Sequence, residues 1–518
     1  MISQIPPGRR PPSTTIITAV VCIALGAVAA AMASLNVAIP DIVRATHASQ
    51  VQLEWIIDAY LLVFAVLLLP AGAIGDRYGR RKALIAGLLI FGGASAAAMA
   101  TTSPDALIGL RGLIGAGAAL VMPATLSTIT GTFPAAERSK AIGVWAGVAG
   151  GAAILGLLCS GILLEWFSWR SVFAVNVVLA VIAIAGAIRY VPESSEPDAP
   201  AVDKGGAALA TAGLVALVFS IIEAPDEGWL SARTLGGIVA GLVTLAGFVF
   251  YELRQPRPLL DPRLFRDRKL AAGSLSIVIQ FFAFFGFTFV SLQYLQGVRG
   301  YTPLIAAIAV LPLSGSMIPT ARVTPRLVNR FGSRAVCVSG LVLCAAGLAI
   351  VSRIGTGTPY WLMLAGLVPL GIGMGAAMTP ATTAITEALP QAQQGVGSAL
   401  NDLSREVGSA LGTAVIGSIV TAVYRSSLQL NGAPAAVASK AQQSFAIAIH
   451  MGGPVGAHAQ TAFVDGIHTG LLYAAGAALL AAISVAILLP RGAQVRQPAN
   501  EGTGADKPEL PQLAHAAE

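Results

Sequence analysis

Long apolar runs alternate with short polar turns along almost the whole 518-residue chain. At about 20 apolar residues per bilayer crossing, the pattern predicts about fourteen helical spans, so the expected fold class is an all-α membrane protein. They lie near residues 14–38, 53–74, 83–101, 106–132, 141–164, 171–190, 207–223, 234–253, 270–296, 304–322, 335–352, 361–386, 397–424 and 467–489. Polar stretches then divide the chain into an N-terminal segment 1–13, a six-helix half 14–190, a linker 191–206, an inserted helix pair 207–254, a loop 255–269, a second six-helix half 270–489 and a tail 490–518 expected to be disordered. Within the second half, segment 425–466 is the longest loop. Its Ala/Gly/Gln-rich composition reads as a mobile linker, with a hairpin over the mouth as the alternative.

Two landmarks recur in the two halves. Gly72-Ala-Ile-Gly-Asp76-Arg77-Tyr78-Gly79-Arg80-Arg81-Lys82 sits between two apolar runs, and Pro325-Arg326-Leu327-Val328-Asn329-Arg330-Phe331-Gly332-Ser333-Arg334 is a weaker copy in the corresponding place. Gly115-Ala-Gly117 through Pro123-Ala-Thr125 likewise matches Gly373-Met-Gly375 through Pro380-Ala-Thr382. A repeat of this kind is the mark of a duplicated transporter.

Composition agrees: 55% of residues are hydrophobic and 11% charged, against roughly 25% charged in soluble domains. The net charge of +7 gathers in short turns and forms no face for nucleic acid. Placing the N-terminus inside assigns about 22 Lys/Arg to inner segments and about 7 to outer ones, so both termini are expected on the cytoplasmic side. Cys22, Cys159, Cys337 and Cys344 lack the spacing of a zinc or disulfide site and read as packing residues. No nucleotide-binding loop or nucleophile elbow occurs, so an enzyme is not expected.

The sequence resembles the major facilitator superfamily, in particular its fourteen-span drug:proton antiporters similar to the quaternary-ammonium antiseptic and multidrug exporters. The inner-turn motif is carried by Gly72, Asp76, Arg77, Gly79, Arg80, Arg81 and Lys82, and the fourth-span arginine motif by Arg111, Gly115 and Gly117. Asn36-Val-Ala-Ile-Pro40, Phe167-Ser-Trp-Arg170 and Trp55-Ile-Ile-Asp58-Ala-Tyr60 add to the match. Three positions depart from it. Ala31 replaces a first-span acid, Leu157 the proline of the fifth-span motif, and Ser316 a tenth-span acid. The resemblance implies a proton-coupled exporter of amphipathic, cationic drugs, dyes or antiseptics in a bacterial cytoplasmic membrane. It would work as a monomer with no cofactor beyond the proton gradient. Its partners would be lipophilic small molecules, protons and the bilayer. Ala31 and Leu157 keep open a dedicated exporter of a single metabolite or antibiotic.

Intramembrane charge is costly, so acids within spans are the candidate proton carriers. Asp58 lies in span two at a depth comparable to Arg111 in span four, and the two are expected to pair. Glu54, one turn outward, reads as a solvated interfacial acid. In span thirteen, Asp402 and Glu406 share a helix face with Arg405 close enough to neutralise Asp402. Both acids fall where the antiseptic exporters carry theirs. Asp58, Glu406, Asp402 and Arg111 are therefore the proton-coupling candidates. Aromatic faces bind organic cations, which nominates Tyr60, Trp55, Phe281, Phe285 and Phe289 with Gln293 and Asn401 for substrate. Lipid contact or helix packing is the plain alternative for the phenylalanines. The inner turns, through Gly72, Asp76, Arg77, Gly79, Arg80, Arg81, Asn329 and Arg330, are the candidate conformational gate.

Overall fold

The computed structural model describes residues 14–133, 135–195, 203–256, 258–388, 394–430 and 434–489. The first six helices are α1 (Thr14–Thr46), α2 (Gln50–Tyr78), α3 (Arg80–Ala100), α4 (Pro104–Thr132), α5 (Ala135–Trp166) and α6 (Arg170–Tyr190). An inserted pair follows, α7 (Lys204–Glu227) and α8 (Ala232–Glu252). The rest is α9 (Arg268–Gly297), α10 (Pro303–Phe331), α11 (Ser333–Val351), α12 (Tyr360–Glu387), α13 (Gln394–Ser427), α14 (Ala435–Gln443), α15 (Phe445–Met451) and α16 (Gly453–Leu488). Among the described residues thirteen helices are long and apolar enough to cross a membrane, and Gly151–Trp166 within α5 is a shorter apolar stretch. Helices are forced here because lipid offers no partner for a bare N–H or C=O. Where they leave the apolar layer, polar caps take over. Ser49 and Gln52 form a reciprocal capping box at α2 (3.2 and 3.0 Å), and Asp267 accepts from Lys269 N (2.7 Å) at α9.

The helix pairs that pack together reveal the duplication. α1 against α5, α2 against α4, α3 against α4 and α3 against α6 recur as α9 against α13, α10 against α12, α11 against α12 and α11 against α16. The two halves meet along α2–α13, α5–α10 and α1–α9, while α7 lies against both α2 and α13. Both charged turns are closed by a glycine with positive φ, Gly79 (+119°) and Gly332 (+84°), at matching positions.

Glycines set the packing distances inside each half. A Cβ at Gly115 would lie 2.5 Å from the Tyr60 carbonyl oxygen of α2, and one at Gly117 2.6 Å from Phe91 N of α3. In the second half a Cβ at Gly371 would strike the Leu313 carbonyl of α10, and one at Gly373 the Gly340 carbonyl of α11. These contacts correct the register expected from sequence. The partners of Gly115 and Gly117 are Gly371 and Gly373, two residues earlier than the Gly373/Gly375 match.

Segment 425–466 is also corrected. Apart from residues 431–433, which lie outside the described residues, it is built from the end of α13, α14, α15 and the first turns of α16. Phe445 stacks on Phe463 with ring centroids 3.9 Å apart, and the Tyr424 hydroxyl donates to the Ala441 carbonyl (2.7 Å). Enough buried aromatic surface is available to order what its composition suggested was a linker. α15 touches α1 as well as α9 and α16, so the segment caps one end of the bundle across both halves. The other end carries the basic turns. They are called the capped end and the basic end below. Residues 1–13, 196–202 of the linker and the tail from 490 lie outside the described residues.

Gly117→Val should overpack the α3–α4 contact by about 1–3 kcal/mol or more and lower the thermal midpoint of the detergent-solubilised protein. Gly93→Val, where a Cβ meets nothing within 4 Å, should leave that midpoint unchanged.

Candidate functional site

α2 turns its polar residues in several directions, and 100° per residue decides which neighbour each one meets. Gln50, Glu54 and Asp58 recur every four residues and form one stripe. Glu54 and Asp58 are both 0% exposed. Tyr60 points elsewhere. Its hydroxyl donates to the Val28 carbonyl (3.0 Å), and the Arg111 guanidinium lies over its ring, 4.4 Å from the centroid.

The expected Asp58–Arg111 pair does not form. Arg111 donates from Nε to the Ile56 carbonyl (2.8 Å), and neither carboxylate oxygen of Asp58 has a hydrogen-bond partner. Two residues of helix rotate Asp58 about 200° away from Tyr60, the side that α4 approaches. Arg111 therefore braces α2 from α4 while Asp58 faces another way.

Glu54 differs most from expectation. Instead of meeting water it is enclosed where α2 meets α13. Thr421 Oγ1 donates to Glu54 Oε1 (2.8 Å), and Ser418 Oγ lies 3.4 Å from Oε2 while donating to the Ile221 carbonyl of α7 (2.6 Å). Gly417 leaves the room, since a Cβ there would lie 2.8 Å from the Glu54 carboxyl carbon. Beside it, Trp55 is turned onto α7, where its indole N–H donates to Glu223 (2.9 Å) and its ring lies 5.6 Å from that of Phe219. That placement attaches the inserted pair to α2.

The span-thirteen cluster holds together as expected. Arg405 lies 3.7 Å from Asp402, its guanidinium is 4.7 Å from the centroid of Phe281, and Asn401 Oδ1 accepts from Thr382 (3.1 Å). Glu406 is 3% exposed, its Oε2 has no partner, and it is within electrostatic reach of Tyr60 across the seam. Buried acids about 350 residues apart in sequence thus lie on two helices that pack together, α2 and α13. Phe281 and Phe285 stack at 6.3 Å and are buried, as is Phe289, so these rings pack inside the protein and do not face lipid. Gln293 accepts from Gln50 Nε2 (3.4 Å), joining the halves near the capped end.

At the basic end, Arg80 Nε donates to Asp76 (2.9 Å), Arg80 N to the Ser194 carbonyl (2.9 Å), Arg81 N to Glu193 (3.2 Å) and Arg81 Nη2 to the Ile188 carbonyl (2.7 Å). The last of these satisfies a free carbonyl at the end of α6. These partners lie in the first half and in the linker that follows it. A Cβ at Gly79 would strike the Glu193 carboxylate (2.6 Å), whereas one at Gly72 would make ordinary contact with Pro123 (3.6 Å). Arg77 lies 5.9 Å over Tyr78. In the degenerate turn Asn329 and Arg330 are exposed, with Arg330 5.3 Å over Phe331. Elsewhere, the fifth-span motif brings Gly156 within 2.6 Å of the Ala30 carbonyl and Gly161 within 2.9 Å of Leu304 Cα, counting from the Cβ each lacks. Of the cysteines, Cys337 and Cys344 are buried as packing residues, Cys22 is half-buried and Cys159 is exposed.

Residues 21–413 match the Major Facilitator Superfamily. The chain belongs to that superfamily. It is 34% identical over 398 residues to a tetracenomycin C resistance and export protein of Streptomyces glaucescens, covering 76% of this chain and 74% of that one. To the methyl viologen resistance protein of Salmonella typhimurium it is 32% identical over 464 residues (88% and 93%), and to a multidrug efflux pump of Mycolicibacterium smegmatis 32% over 423 (82% and 84%). The fold matches a bacterial homologue of the human lysosomal transporter Spinster with a TM-score of 0.66 at 16% identity, over 92% of this chain and 96% of that one. This superfamily member is a multi-pass membrane transporter.

Trp55→Phe should lose the bond to Glu223, worth about 0.5–1.5 kcal/mol, and speed hydrogen exchange in α7. Substrate affinity should stay unchanged, because Trp55 touches the inserted pair.

Proposed function

We propose that this chain is a proton-coupled exporter of amphipathic organic cations, with the basic end and both termini in the cytoplasm. The observation that carries the reading is a buried acid on each of the two helices that line the seam, Asp58 on α2 and Glu406 on α13, one from each half. Neither carboxyl is committed to a cation within ion-pair distance among the described residues. A carboxyl in a low-dielectric site can carry a proton or balance a cationic ligand. Tyr60, Phe281 and Phe285 supply apolar and aromatic surface nearby, and cation–π contact is worth about 0.5–2 kcal/mol.

Exclusion of one ligand by the other makes the exchange. With the seam open inward, a lipophilic cation displaces the proton from the carboxyl. With it open outward, a proton returns and the cation leaves. Each proton carried inward releases about 2.3 kcal/mol per 100 mV of membrane potential. No cofactor or catalytic step is needed, and the monomer contains both halves. The resistance and efflux names of the relatives support the substrate class. A dedicated exporter of one compound is the second reading, favoured by Ala31 and Leu157 and by the kinship to a tetracenomycin C exporter.

In inverted vesicles, the wild type should move ethidium only when a proton gradient is imposed. Asp58→Asn and Glu406→Gln should each lower that flux by tenfold or more, roughly the loss of one coupled charge, at unchanged protein level. Wild-type flux in both variants would sink the proposal, and gradient-driven transport of a single compound to the exclusion of dyes would select the dedicated exporter.

A further inference from the structure

We propose that Glu54 is a further proton-binding residue of this transporter, whose protonation closes the outer seam between α2 and α13. The inference rests on the proton-coupled reading but concerns a residue outside the Asp58 and Glu406 pair.

Among the described residues, every hydrogen bond that crosses directly between the halves lies toward the capped end. They are Gln50 with Gln293, Gln296 with the Val37 carbonyl (3.0 Å), and Thr421 and Ser418 with Glu54. Glu54 is the ionisable member of that set, so its charge decides whether the seam is a neutral polar contact or a buried anion.

Its partners suit the neutral form. The Ser418 hydroxyl has one proton, and the Ile221 carbonyl, which can only accept, takes it at 2.6 Å. Only Thr421 then donates to Glu54, and a buried carboxylate with a single neutral donor is poorly compensated. A protonated Glu54 instead offers its own O–H toward Ser418 Oγ. Other charges around it do not fill the deficit. Arg425 on α13 is bound to Asp226 and to the Pro225 carbonyl (3.0 Å) of α7, Glu223 of α7 accepts from Trp55, and Asp58 one turn inward on α2 is a second acid. Deprotonation therefore calls for water, and water reaches Glu54 only if α13 moves off α2. Gly417 makes the site compact, so a small separation suffices to wet the carboxyl. A proton arriving from outside meets Glu54 one helical turn before Asp58.

The test places cysteines at Gln50 and Gln293 in a chain lacking Cys22, Cys159, Cys337 and Cys344. The pair is cross-linked from outside in right-side-out vesicles with a short bis-thiosulfonate, at about pH 5.5 and about pH 8.5, a range in which buried carboxyls titrate. Each yield is taken relative to that of a reference cysteine pair within one half, which carries the pH dependence of the thiolate itself, and this relative yield should be higher at the acid pH by roughly fivefold, the size of one hydrogen bond's net contribution. Glu54→Gln should hold the high yield at both values. Thr421→Val, which keeps the acid but removes its donor, should lower the yield at acid pH. A wild-type yield that does not change with pH, or an unchanged pH dependence in Glu54→Gln or Thr421→Val, overturns the proposal. Asp58→Asn should keep the pH-dependent yield. Failure of coupled ethidium efflux with that dependence intact would therefore sink the exporter reading and leave the seam untouched. The converse result would sink the seam alone.

Discussion

A carboxyl group at bilayer depth has to be shielded by protein, because exposing charge to hydrocarbon costs at least about 2.5–3.5 kcal/mol at mid-depth. That requirement explains where the acids lie. Glu54 and Asp58 on α2 and Asp402 and Glu406 on α13 all occupy helices that face each other between the halves. Along that seam a carboxyl can be dry in one arrangement and wet in another, so the position that protects the acid also makes it responsive to rocking of the halves. Arg111 stiffens α2 from the α4 side through the Ile56 carbonyl and the Tyr60 ring, which leaves α13 as the side free to move.

The inserted pair acquires a structural role from the same seam. α7 reaches α2 through Trp55–Glu223 and α13 through the Ile221 and Pro225 carbonyls and Asp226. A helix bonded to both moving parts limits how far they separate. Meanwhile α8 keeps a largely lipid-exposed surface, with Leu242, Val243 and Phe250 outward, as expected of a helix whose packing partner is α7.

Much of the architecture was legible because its signals are local. Apolar run length gives the spans, and Gly79 and Gly332 mark the repeated turns through a backbone requirement that glycine meets. The capped segment was not legible, since Phe445 and Phe463 stack only after α16 has folded back beside α15. Span edges differ too: α1 continues past its apolar run to Thr46 and α10 to Phe331. In the site, Asp402 with Arg405 follows from three-residue spacing on one helix. The role of Arg111 and the burial of Glu54 depend on helix rotation and on a partner 367 positions away. A usable signal did exist in the stripe Gln50, Glu54, Asp58, because three polar residues on one face of a membrane helix call for a protein neighbour.

The contrast between Asp402 and Glu54 separates a fixed acid from one suited to cycling. Asp402 sits beside Arg405, a permanent cation, at 3.7 Å. A proton on Asp402 would take from that guanidinium its nearest carboxylate, so the pair suits a proton that must come and go less well than an acid among hydroxyls does. Glu54 meets hydroxyls. A hydroxyl donates to a carboxylate and accepts from a carboxylic acid, so Thr421 and Ser418 serve both forms with small rotations and no stranded charge. Asp58, without a partner in this arrangement, lies one turn farther in on the same face of α2. Acids that turn over would then be found among hydroxyls or unpaired, and acids that hold the structure together would be found beside arginines, as Asp76 is beside Arg80 at the basic end.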